Sequence, residues 1–161
     1  PAERAVMRAL AVAGAVALGW AGVAQAACIE PPLANAARLH EFEMMMMDVS
    51  LRCTRMGVAM RPNYDGMVAA HHHVFDGAAQ TLKVFFDRAG DVRHGSMYER
   101  YTTLIANHYG TGNTSLEACK VFDAVAAEVA RTADGGKVLG AVALTMIPHP
   151  MLERETCPAG R

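Results

Sequence analysis

Met44, Met45, Met46 and Met47 stand in a row, and Met56, Met60 and Met67 follow, so thioether sulfur is concentrated in one stretch of the chain. Thioethers are soft donors that suit Cu(I), and His71, His72 and His73 add imidazole, the commonest transition-metal ligand. Met67 and His71 are one helical turn apart, a spacing from which two side chains can reach one ion. Met67, His71 and His72 therefore form a candidate site for copper or zinc, and the same donors would suit haem held without covalent attachment between helices. Helical geometry argues the other way. Adjacent residues on a helix point roughly 100° apart, so neither the methionine run nor the histidine run can converge on one ion. Methionine is also a common core filler, His71 falls on an apolar stripe, and His72 has Asp76 one turn on as an ion-pair partner. Packing is the leading account of both runs. No cofactor is expected, and copper or zinc binding is the alternative.

Catalytic signatures are lacking: the chain has no GxSxG, no HExxH, no glycine-rich phosphate loop and no lone reactive cysteine. Glu99, Glu117 and Asp123 read as helix caps or solvated carboxylates, and Asn113, Thr114 and Ser115 as a loop leading into a cap. Tyr98, Tyr101 and Tyr109, with His108, make the best groove-lining patch. Tyrosine joins an apolar ring to a polar tip, which suits contact with a partner.

The four cysteines are Cys28, Cys53, Cys119 and Cys157. An even number of thiols in an exported chain implies paired oxidation, and the lack of CxxC or Cys/His spacing excludes thioredoxin-type, covalent-haem and zinc-finger chemistry. Most of a helix separates Cys28 from Cys53, which puts them roughly 30 Å or more apart, far beyond disulfide reach. Counting up and down through helical hairpins places Cys53 beside Cys119. Cys28 is left to join Cys157 and tie the tails.

The elements that position these groups are helices. Leu39, Phe42, Met46, Val49, Cys53, Met56 and Met60 alternate at intervals of three and four, predicting a long helix over 33–60 that Pro62 ends. Met67, His71, Val74, Ala78, Leu82 and Phe85 predict a second helix over 64–88, antiparallel to the first across a short turn. Ser96 with Glu99, and Thr114 with Glu117, are capping boxes that open a third helix ending at Gly110 and a fourth ending near Thr132. Asp134, Gly135 and Gly136 then turn the chain into a fifth over 138–147, closed by Pro148 and Pro150. No alternating strand pattern or internal repeat occurs. The expected fold is all-α: an up-and-down bundle of four to five helices stapled by two disulfides.

Ahead of it, Arg4 and Arg8 precede an apolar run that closes on Ala24, Gln25 and Ala26, the pattern of a signal peptide over 1–26 with cleavage before Ala27. The run is too short and too rich in Ala and Gly to span a membrane. The remaining 135 residues, 27–161, are one helical domain with 13 basic and 15 acidic residues, and no basic cluster recruits nucleic acid. The chain reads as a periplasmic or secreted accessory protein, non-enzymatic, binding a protein or envelope component through a Tyr-rich or Met-rich helix face.

Overall fold

A computed structural model describes residues 28–89 and 96–156; the expected signal peptide and Cys157 lie outside them. Six helices occur in order: α1 (Pro31–Arg55), α2 (Arg61–Ala89), α3 (Met97–Gly110), α4 (Leu116–Arg131), α5 (Lys137–Met146) and α6 (Met151–Thr156). No strand occurs among the described residues.

α1 is the axis. It packs against α2, α3, α4, α5 and α6, and its buried residues run from Ala36 through Leu39, Phe42, Met45, Met46 and Val49 to Cys53. A helix covered on every side needs apolar surface on every side. That accounts for the methionine run: Met45 and Met46 are buried and Met44 and Met47 half-buried, as four successive positions spread around a covered helix must be.

α1 stops five residues before the expected limit. Gly57 takes a left-handed φ of 86°; the Val58 N–H reaches the Cys53 carbonyl and the Gly57 N–H the Thr54 carbonyl, the Schellman pattern that ends a helix. Met56, expected in the core seam, is therefore in the turn and 43% exposed, whereas Met60 is fully buried. Pro62, expected as a terminator, stands in the first turn of α2, where its missing N–H costs nothing. α2 kinks at His71, whose φ of −121° and ψ of 19° leave the helical region.

The α1–α2 hairpin is present, and α1 to α4 alternate in direction. His40 bonds Thr102 and Arg52 bonds Tyr109, so α1 and α3 run together; Asn63 bonds Asp123 and His71 bonds Val129, so α2 and α4 run the other way. The alternation ends there. α5 continues back along α1 until the Ile147 carbonyl meets Arg38, and α6 crosses near Glu41. α6 is the helix that sequence missed, because Pro150 serves as its start as well as the stop of the preceding turn.

Ser96 caps α3, its oxygen accepting from the Glu99 N–H at 3.4 Å. Ser115, not Thr114, caps α4, accepting from the Ala118 N–H at 3.1 Å. The Asp134 carboxylate accepts from Val138 and Gly136 N–H groups, which holds its pKa below the ordinary carboxylate value. Gly136 is required there: its φ is 89°, and a Cβ would lie 2.9 Å from a Val74 methyl.

One disulfide, Cys53–Cys119, is present among the described residues, with Cα atoms 5.4 Å apart as the topology predicts. At the opposite end of α1 the Cys28 sulfur lies 3.5 Å from the carbonyl oxygen of Thr156.

The Cys53–Cys119 bond closes a 66-residue separation, so the double variant Cys53→Ala/Cys119→Ala should lose about 4 kcal/mol of stability in denaturant titration. An unchanged unfolding midpoint would show that packing alone fixes the α1–α4 contact.

Candidate functional site

The polar residues of α1 are buried where an ordinary surface helix would be wet. His40 is 5% exposed and Glu41 fully buried. Each reaches a neighbouring element. Glu41 accepts from the Tyr109 hydroxyl and from the Met151 N–H, both at 2.7 Å, with the Arg154 guanidinium 3.7 Å away. Arg38 donates to the Ile147 and Pro148 carbonyls at the end of α5. Arg52 donates to the Tyr109 carbonyl at the end of α3 and, at 3.1 Å, to the Thr114 hydroxyl.

This arrangement redirects the tyrosine row. Tyr101 is 7% exposed and packs on Phe86 and His40, at centroid distances of 5.3 and 6.3 Å. Tyr98 is half-buried between His40 and the Lys83 ammonium. Tyr109 turns its hydroxyl inward to Glu41, and burial together with that carboxylate raises its pKa. Only His108 of the four patch candidates is exposed. The spacing of Tyr98, Tyr101, Ile105 and Tyr109 is the inward stripe of α3, so the rings cover α1 rather than forming an open groove.

A cleft of about 530 Å³ opens to solvent at the disulfide end, between α1, α3 and α4. Met45, Val49 and Phe122 make its floor, Arg52 and Tyr109 one wall, and His108, Asn113 and Thr114 its rim. Its volume falls in the range of ordinary ligand clefts, and its lining has their usual character, an apolar floor with few polar groups. Arg52 braces the cleft by holding the end of α3 against the start of α4, while Cys53 and Cys119 lock α1 to α4 beneath it. Sequence grouped His108 with Tyr109 and read Asn113 as a loop residue; it gave no sign of Arg52 or of the floor.

The metal candidates separate. Met67 is fully buried and His71 is 1% exposed, with His71 Nε2 donating to the Val129 carbonyl at 2.9 Å. His72 is exposed and directs Nδ1 toward the Ala69 carbonyl of its own helix, at 3.1 Å. His72 therefore does not share the enclosed surroundings of Met67 and His71. No group of three or more His, Cys, Asp or Glu side chains is placed to hold a metal among the described residues, and no helix there is long and apolar enough to cross a membrane.

The chain matches no protein-family model, no curated protein and no solved structure.

Buried ionisable groups make the fold pH-dependent. Burial first, then the charge of Lys83, lowers the His40 pKa from 6.5 to about 4. The unfolded chain therefore binds the proton more readily than the folded one, and stability is lost as pH falls from about 6.5 toward 4. The loss approaches about 3 kcal/mol at the acid limit. Burial raises the Glu43 and Asp48 pKa values, which favours the folded state in acid and opposes this trend at its lower end. Thermal melts should fall between pH 7 and 5, and His40→Gln, which retains a hydrogen-bonding group toward Thr102, should flatten the slope. An equally steep slope in the variant would remove His40 from the account.

Proposed function

We propose that the chain is an exported, non-enzymatic accessory protein that binds a protein or cell-envelope partner through the cleft between α1, α3 and α4. The observation that carries this reading is the make-up of the cleft. Side chains of three helices meet over an apolar floor, and His108 and Asn113 of its polar rim stay in solvent. Rigid walls favour recognition, because little freedom is lost when a partner binds. The disulfide and the Arg52 clamp supply that rigidity.

The buried His40 and Glu41 are engaged by Thr102, Tyr109 and Met151 and do not line the cleft; its lining holds no carboxylate to orient His108 as a base, and the Ser115 hydroxyl in it caps α4. Export is supported by the apolar run over 9–24 and by a cystine bridge, which persists in oxidising compartments. The position of Cys28 beside Thr156 favours a second bridge, Cys28–Cys157.

Affinity capture from an envelope fraction should recover a partner with the wild-type chain, and the double variant His108→Ala/Asn113→Ala should lower that recovery at least fivefold without altering the melt. Equal recovery would place the contact elsewhere on the surface.

Mass spectrometry of the secreted or periplasmic product should show an N-terminus at Ala27 and a non-reduced peptide pair joining Cys28 to Cys157. An intact leader with free thiols at both positions would refute export.

A further inference from the structure

Four buried side-chain polar atoms of the described residues lack a hydrogen-bond partner, Nδ1 of His71 among them. His71 Nε2 faces a carbonyl, which can only accept, so Nε2 carries the ring hydrogen and Nδ1 is a bare lone pair. That Nδ1 is buried without a hydrogen-bond partner, in a side chain 1% exposed. An orphaned buried acceptor costs about 1–3 kcal/mol and calls for a function. One turn before it on the same buried stripe is Met67, whose thioether is also wholly enclosed. On the facing arm of the hairpin, Met46 is fully buried at a comparable distance from the α1–α2 turn.

We propose that His71 Nδ1 and the Met67 thioether, with Met46 as a third donor, form a buried Cu(I) site between α1 and α2. The second ring nitrogen bears this out. Metal-bound imidazoles nearly always donate their other N–H to a carbonyl or carboxylate, which fixes the ring, and His71 makes that bond to Val129 already. The α2 kink falls on the same residue. All the donors are neutral. The cost of burying an ion rises with the square of its charge, so this set selects a soft monocation over Zn(II).

His72 takes no part, being exposed on the far side of the helix. His40 also has a buried Nδ1 without a partner, but Lys83 lies close enough to act on it electrostatically, and a cation is excluded there. The site and the α1–α3–α4 cleft are separate, and either can fail without the other.

The test is anaerobic titration of the oxidised, mature chain with Cu(I) in ascorbate, in competition with bathocuproine disulfonate. One Cu(I) per chain should be withheld from the chelator. Met67→Leu, which preserves core volume, should weaken binding at least tenfold, and so should His71→Gln, which keeps an amide donor for the Val129 carbonyl but has no ring acceptor. His72→Ala should bind as wild type. X-ray absorption of the loaded protein should show nitrogen and sulfur scatterers together. Complete transfer of copper to the chelator, full binding by Met67→Leu with an unchanged helical spectrum, or loss of binding on His72→Ala would each overturn the proposal.

Discussion

Charged side chains of a central helix close the ends of the helices around it, and the rest of the structure depends on that. A helix terminus carries unpaired backbone groups, with N–H groups at its start and carbonyls at its end, and a buried terminus must find partners for them. α1 supplies these partners with matching sign. Arg38 meets carbonyls after α5, Arg52 meets a carbonyl at the end of α3, and Glu41 meets an N–H at the start of α6. Cations at C-termini and an anion at an N-terminus are also the placements the helix dipole favours. α2 repeats the device where His71 meets the last turn of α4.

This explains why a helix so fully buried retains three arginines, two glutamates, a histidine and an aspartate along its length. Burying a charge is costly unless hydrogen bonds replace the lost water. Glu41 has two such bonds and a guanidinium nearby. The reward is that four short helices acquire fixed positions around one axis. It also leaves solvent access at the disulfide end, where α3 and α4 diverge above Arg52 and the walls of the cleft form. Fold stability and the shape of the cleft thus draw on the same helix, with Arg52 tying down one wall while His108 and Asn113 line the rim.

Much of this was legible beforehand. The α1–α2 hairpin, the Ser96 cap, the Asp134 turn and the Cys53–Cys119 bond all follow from local patterns, since each depends on residues within a turn or on a count of helical rises. The errors have a common cause. Met56 was placed in the seam and Pro62 at a helix end because the left-handed bend at Gly57 cannot be told from an ordinary helical glycine by periodicity. The tyrosines were read as a groove because an inward stripe and an outward one share the same spacing. Charges scattered among apolar residues on every side of 36–53 were the available sign that α1 is the axis, and they are legible only once the helix is seen to lack a polar face.

Sequence alone determined the helical class, the Ser96 cap, the Asp134 turn and which cysteine lies opposite Cys53, because capping and helix rise act over a few residues. Only tertiary structure decided which face of each helix turns inward, that α5 and α6 return along α1, and that Met67 and His71 are enclosed while His72 is not. Those outcomes depend on contacts between residues tens of positions apart, such as Arg38 with Ile147 and Glu41 with Tyr109. Each is selected by the burial of backbone ends that no local pattern records.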